Sequence, residues 1–451
     1  MALVGLLGAA CGAGSDGASG AGGSVATGGG QSSGGTSSTG GAVATGGTRA
    51  AGGTTGNGGG VATGGSATGG QTTGGANSTG GSNTGGQASG GESSGGAAAT
   101  GGQGTGGGIA VDGCLPAPTA YPNLFVTVSG HTQEESDAKV ASAWSKLFNA
   151  SSSGTIYFNG PGGDESYVKD IWNGDVRSEG MSYGMMAAVQ LDHQTEFDRL
   201  WTWVRNHMAQ GCSGDVCTGE IAWSCSTSGN KNSSGGAPDG EEYMATALIF
   251  AQNRWGDGGK FDYANEARWV LDIVRNKYFH LNPHLVKFVA NSNNTDPSYI
   301  LPAFYQVWAC FDADNSDFWN EAITDGREYF HVGVNGQGVC PYQSSWDGSN
   351  PQAANSDSLR CVMNLMMDHN FFAGDPWQTE TYAPMYAASQ ANTGQPGSYC
   401  NATLGFGLPA AQGKPFVDKI WSANVPNSDY WGGVLYMLSL LHVSGDFKLY
   451  Y

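Results

Sequence analysis

Three carboxylates each stand at the entrance of an apolar helical run: Glu179, Asp239 and Asp357. After Glu179, the residues Met181, Met185, Ala188 and Val189 recur at helical spacing and form one apolar stripe. Acids that share a site can divide the work of moving protons, one holding a proton while another accepts one. The surrounding chain is rich in aromatics, and Trp172, Trp223, Trp346 and Tyr183 lie near the acidic segments. Flat aromatic faces suit the apolar C–H faces of pyranose rings, so these residues point to acid/base chemistry on sugar.

Each acid also has a purely structural use. Asp239 can cap its helix in a box with Glu242, and Asp357 can cap a helix beginning at Ser358. Glu179 can favour a helix start through the macrodipole. A tryptophan is more often a core residue than a ligand platform. The run Gly180-Met-Ser-Tyr-Gly184 matches the nucleophile elbow of serine hydrolases, which needs a buried strand before the serine. Residues 173–179 do not read as such a strand. Asp312, Asp314 and Ser316 open like a calcium loop, but Asp317 and Ile323 stand where glycine and glutamate belong. His280 and His284 are spaced i, i+4 with Pro283 between them, outside any zinc motif. No metal and no nucleotide cofactor is expected.

The elements that must position these acids occupy the second part of a chain of two characters. Residues 1–11 hold a short apolar run that ends in small residues and Cys11, like the end of a bacterial lipoprotein signal. Cys11 is then the expected site of a lipid, and the expected location is extracellular or at the cell surface. Residues 12–110 are almost wholly Gly, Ser, Thr and Ala and should be a disordered linker. Residues 111–451 carry every aromatic residue and almost all of the net charge of −19. That charge argues against nucleic acid, which needs a basic patch, and leaves a neutral polymer open. A monomer is expected. Eight cysteines remain beside Cys11, an even number that suggests disulfides in an exported domain, with Cys212–Cys217 the best candidate pair.

Periodicity predicts helices over 133–149, 181–208, 241–255, 261–279, 299–311, 317–332, 358–371, 378–392, 414–423 and 431–443. Thr132 with Glu135 makes a capping box. The stretches 181–190, 243–251 and 358–367 are apolar on more than one face and should be inner helices, whereas 263–277 has one wet face. Alternating inner and outer helices fit a toroid of paired helices, which would gather the three acids on one face.

Long phrases in order carry a resemblance over most of residues 137–451. They are Asp175-Val-Arg-Ser-Glu-Gly-Met-Ser-Tyr-Gly-Met-Met186, Ala222-Trp-Ser224, Ala237-Pro-Asp-Gly-Glu-Glu-Tyr243, Arg254-Trp-Gly256, Asp296-Pro-Ser-Tyr299, Ser356-Asp-Ser-Leu-Arg360 and Gly433-Val-Leu-Tyr-Met-Leu-Ser-Leu-Leu-His-Val-Ser-Gly-Asp-Phe447. In these the chain resembles glycoside hydrolase family eight, and its xylan-active branch in particular. The resemblance implies an all-α (α/α)6 barrel and inversion at the anomeric carbon. It implies Glu179 as general acid, Asp357 as general base, Asp239 at the cleavage point and Tyr299 holding the nucleophilic water. Arg360 would orient the base or the substrate. From their chemistry and their place near the acidic segments, Tyr183, Trp223, Trp172, Tyr430 and Trp431 are the expected sugar contacts. The family's Tyr-Tyr-Asp-Gly phrase reads Tyr430-Trp-Gly-Gly433 here, without the aspartate. Gly405 falls where exo-acting members carry a blocking histidine, which implies an open cleft and an endo-β-1,4-xylanase. The rivals are a reducing-end xylose-releasing exo-oligoxylanase, an endo-β-1,4-glucanase and a non-catalytic sugar-binding protein. An inverting pair needs its carboxyl groups about 6.5–9.5 Å apart, with room for water.

Overall fold

The computed structural model describes residues 121–451 together with Leu115, apart from 215 and 392–395. The apolar run with Cys11, the segment 12–110 and Cys114 lie outside the described residues. Eleven α-helices are described: α1 (Gln133–Leu147), α2 (Ser178–Gln190), α3 (Gln194–Trp203), α4 (Pro238–Trp255), α5 (Tyr263–Ile273), α6 (Pro302–Phe311), α7 (Ser316–Gly333), α8 (Arg360–Phe372), α9 (Trp377–Ala391), α10 (Ala410–Ser422) and α11 (Tyr430–Ser444). A 3₁₀ segment, Pro396–Phe406, lies between α9 and α10.

Packing sorts these elements into two layers. The inner neighbours follow one another as α2, α4, α6, α8, the 3₁₀ segment and α11, and α11 touches α2, so the circle closes. The outer helices pack on them: α3 on α2, α5 on α4, α7 on α6, α9 on α8, α10 on the 3₁₀ segment and α1 on α11. The arrangement is that of an (α/α)6 toroid. The layer of each helix follows from its sequence. In α2 every residue except Glu179 is buried, and α11 is buried over almost its whole length, because both are apolar on all faces. α5 buries one stripe and wets the other, as its charges predict.

The expected inner helices are found at α2, α4 and α8, and the box at Thr132 forms: its hydroxyl accepts from Glu135 N and the Glu135 carboxylate accepts from Thr132 N. Other expectations are corrected. The run 181–208 is two antiparallel helices, because Asp192 adopts a left-handed φ of 65° and turns the chain from the inner to the outer layer. The fold is not purely α. A four-stranded antiparallel sheet joins β1 (Tyr157–Asn159), β2 (Ser166–Asp170), β3 (Asp175–Arg177) and β4 (Ser224–Ser226) in that order, and a hairpin joins β5 (Phe279–Leu281) and β6 (His284–Val286). So a strand does precede Ser182. The elbow fails for another reason: α2 begins at Ser178, which leaves Ser182 inside the helix, fully buried, donating to the Glu179 carbonyl at 2.7 Å. Cys212 and Cys217 are bridged and Cys310 is also disulfide-bonded, whereas Cys225, Cys340, Cys361 and Cys400 are buried thiols.

One buried ion pair ties three helices of the two layers. Asp368 of α8 is fully buried and accepts from Arg327 Nε of α7 at 2.9 Å, from Arg327 Nη2 at 2.7 Å and from Gln378 Nε2 of α9 at 2.6 Å. Removing one partner strands a charge in a medium that cannot solvate it. Arg327→Ala should therefore cost about 3–5 kcal/mol in urea unfolding. The double variant Arg327→Met/Asp368→Leu should cost much less, since no charge is left behind.

Candidate active site

The entrances of the inner helices converge on one guanidinium. Arg360, the first residue of α8, is 3% exposed. Its Nη1 donates to Asp239 Oδ2 at 2.9 Å and to the Tyr183 hydroxyl at 2.7 Å, and lies 3.5 Å from Glu179 Oε1. Its Nη2 donates to Ser298 Oγ at 3.0 Å, and its Nε to the Asp357 carbonyl at 3.3 Å. The rings of Tyr299 and Trp431 flank it at 5.4 and 5.2 Å. Glu179 from α2, Asp239 from α4, Tyr299 from the turn before α6 and Asp357 from the turn before α8 are thus drawn to one place. In the inner circle α2 and α8 stand opposite each other, so Glu179 and Asp357 enter from opposite walls.

Close approach of backbones makes this convergence possible. A Cβ at Gly240 would stand 2.6 Å from Ser178 Oγ, so glycine lets the starts of α2 and α4 touch. A Cβ at Gly180 would stand 2.9 Å from the Tyr430 hydroxyl, so glycine lets that ring lie against the acid's own helix. Ser178 N also donates to the Trp223 carbonyl at 2.9 Å, which ties the start of α2 to the segment leading into β4.

The electrostatics separate the acids. Burial, reinforced by the charge of Asp239, raises the pKa of Glu179 well above the carboxylate range, and Arg360 opposes this only in part. The side chain keeps 18% of its exposure, enough to face a ligand. Burial also raises Asp239, but Arg360 and the Gly240 N–H at 3.0 Å both donate to its ionised form. The shared proton therefore rests on Glu179 while Asp239 stays ionised against Arg360. Its position two residues into α4 also shows that Asp239 does not cap: no side-chain cap forms there, and Glu242 instead accepts from the Tyr305 hydroxyl at 2.9 Å. Asp357 is held lightly, with Asn355 Nδ2 and Ser356 Oγ each 3.4 Å from its carboxylate. It opens a 3₁₀ turn, Asp357–Leu359, that runs into α8.

The aromatic candidates divide into four kinds. Tyr183 is buried, edge-on to Tyr243 at 4.7 Å, and supports Arg360. Tyr430 and Trp431 sit at the start of α11, and their polar atoms, Oη and Nε1, are buried without a protein partner among the described residues. Trp223 lies under the Arg177 guanidinium at 5.5 Å, and Trp346 stacks on His280 at 4.5 Å. Trp172 stands in the turn between β2 and β3, 82% exposed. Two groups were not singled out from the sequence. Arg177 pairs with Asp170 at 3.1 Å and Asp175 at 3.3 Å, two residues before Glu179. Asp296, with its pKa pushed up to about 7 chiefly by burial, accepts from Ser298 Oγ at 2.8 Å and so backs the hydroxyl that meets Arg360. The phrase Asp296-Pro-Ser-Tyr299 was the available signal for Asp296.

Gly405 does not stand in the cleft. A Cβ there would meet Leu124 at 2.8 Å and Val417 of α10 at 3.0 Å, so the residue packs between layers. The part of the 3₁₀ segment that borders the base is its start, where a Cβ at Gly397 would run into the Ser356 carbonyl and meet Leu359 at 3.0 Å. The implied open cleft therefore loses its support at Gly405.

A carboxyl with a raised pKa and a second carboxyl on the opposite wall of a ring of inner helices are the groups that the acid/base chemistry of a glycosidase requires. The family model of glycosyl hydrolases family 8 matches residues 168–367. The chain is 34% identical over 373 residues to the reducing end xylose-releasing exo-oligoxylanase of Halalkalibacterium halodurans, an alignment of 73% of this chain and 95% of the relative. It is 26% identical over 372 residues to endoglucanase C of Ruminiclostridium cellulolyticum, covering 74% of this chain and 77% of the relative. A crystal structure of a reducing end xylose-releasing exo-oligoxylanase superposes with a TM-score of 0.67 at 33% identity, over 74% of this chain and 97% of that one. The chain belongs to glycosyl hydrolase family 8.

The pH dependence of the reaction follows from the acid. With Glu179 as the expected general acid, activity should fall as pH rises through its pKa. The charge of Asp239 raises that pKa. Asp239→Asn should therefore move the alkaline limb of the kcat/KM profile to lower pH, besides lowering the rate. An alkaline limb that stays in place would assign it to another group.

Proposed function

We propose that the protein hydrolyses β-1,4-linked xylo-oligosaccharides with inversion and releases xylose from the reducing end. The observation that carries the chemistry is the placement of a protonated Glu179 and a lightly held Asp357 on opposite inner helices. In the reaction, the Glu179 proton goes to the glycosidic oxygen as its bond to the anomeric carbon breaks. Asp357 takes a proton from a water that attacks the same carbon from the opposite face. Tyr299, whose hydroxyl stays protonated because burial and the nearby Asp239 and Asp296 charges raise its pKa, helps hold that water. Asp239 and Arg360 grip the sugar between the two. The choice of xylo-oligosaccharides and of the reducing end rests on the relative that is 34% identical over 95% of its length, and on the loss of the Gly405 argument for endo action.

Proton NMR on xylohexaose reads both claims in one tube. The α-anomer should appear first, with xylose and xylopentaose as the early products. A β-anomer first would refute inversion, and early xylotriose would restore the endo reading. Glu179→Gln should lower turnover by about 10²–10⁴-fold, as loss of a positioned proton donor does. We also propose export with a lipid on Cys11, from the apolar run of residues 2–11. Cys11→Ser should then shift the protein from the membrane fraction to the soluble one, and retention on membranes would refute the anchor.

A further inference from the structure

We infer that Trp172 is the stacking platform of an outer subsite, engaged by a pyranose ring several residues along the chain from the bond that is cut. The inference rests on the sugar reading of the site and names what governs its preference for chain length.

Trp172 is the most exposed large apolar side chain among the described residues. Exposure alone is common and explains nothing. What sets this residue apart is the machinery under it. Asp170 is 3% exposed, and its Oδ1 accepts from the backbone N–H of Trp172 at 3.0 Å and of Asn173 at 3.1 Å. Its Oδ2 accepts from Asn173 Nδ2 at 2.7 Å and pairs with Arg177 Nε at 3.1 Å. Gly174 closes the turn with a φ of 71°, and its N–H donates to the Asp170 carbonyl at 2.8 Å. A buried carboxylate with its acceptor sites filled fixes the backbone of a residue whose indole is left in water. Burying that indole would stabilise the fold by about 25 cal/mol per Å² of apolar area, so its exposure is not a packing solution. A turn whose backbone is already fixed loses little backbone entropy on binding, which suits a platform.

The same Asp170 links the turn to the chemistry. Its partner Arg177 lies beside Glu179 in sequence and over the Trp223 ring at 5.5 Å. β3 runs from the turn directly into α2, and pairs with β4 beside Trp223. Trp172 stands seven positions before Glu179, a span of at most ~25 Å. The turn that bears the indole therefore lies within reach of the start of α2, beside the strand pair that Trp223 leads into. The flat C–H face of a β-linked pyranose is the chemistry that matches an exposed indole there. A short oligosaccharide ends before reaching it, and a longer one does not.

The test uses the full-length chain with Trp172→Ala and Trp172→Phe. The readout is the ratio of kcat/KM on xylohexaose to that on xylotriose. Trp172→Ala should lower this ratio about five- to tenfold, mostly through KM, the worth of one stacked ring. Trp172→Phe should recover most of the loss. In a Glu179→Gln background, xylohexaose should perturb tryptophan fluorescence less once Trp172 is replaced by Ala. A ratio unchanged in Trp172→Ala, or an equal fall on both substrates, overturns the inference. If the protein cleaves cello-oligosaccharides instead, the same ratio is read on cellohexaose and cellotriose. A fall there upholds the platform while the xylan reading fails.

Discussion

One buried cation faces a buried carboxylate, Asp239, and a half-buried one, Glu179, at the centre of this protein, and the rest of the site is arranged around that imbalance. Arg360 can neutralise one negative charge, and Asp239 at 2.9 Å holds the better geometry than Glu179 at 3.5 Å. Water cannot reach either acid freely, so a second uncompensated charge is costly. The arrangement that leaves no excess charge has Glu179 protonated. A carboxyl that holds its proton above the usual carboxylate range is thus a consequence of charge counting in a poorly solvated place, and it overrides the helix macrodipole, which by itself favours an ionised Glu179.

The toroid solves the problem of bringing these groups together. Each inner helix delivers its first turn to the same end of the ring. Four phrases far apart in sequence therefore end within reach of a single guanidinium, although Arg360 and Glu179 are 181 residues apart. Such a site needs no long loops to assemble. It needs helices that are apolar on every face, so that they are stable only inside, and small residues where backbones must touch.

The parts of this design that were legible in the sequence are those written in repeated pattern. All-round apolar runs marked α2, α4 and α8 as inner, and Thr132 with Glu135 fixed the start of α1. The parts that were not legible lack periodicity. β3 and β4 have three residues each, too few for alternation to show. The sixth inner member, Pro396–Phe406, contains proline, glycine, serine and asparagine and carries no helical stripe, so its pattern does not tell which of its residues face the cleft. The break between α2 and α3 depends on one left-handed aspartate in a continuous helical pattern. At Asp239 the local capping rule lost to a tertiary ion pair: the carboxylate that could have closed a box turns instead toward Arg360.

The small sheet explains how a helical ring gains a substrate rim. Inner helices present only their first turns to the cleft, so side chains further along a substrate must come from elsewhere. β2 and β3 rise from the start of α2 and carry Arg177, while β4 is led in by Trp223. Arg177 is paired with both Asp170 and Asp175, so it is fixed from the hairpin side and still helps set the electrostatics of Glu179. A change in the hairpin is therefore felt in two places, at the rim through the turn that Asp170 holds and at the acid through Arg177. That coupling argues that the hairpin and the first turn of α2 act as one unit, held by the same few hydrogen bonds and ion pairs.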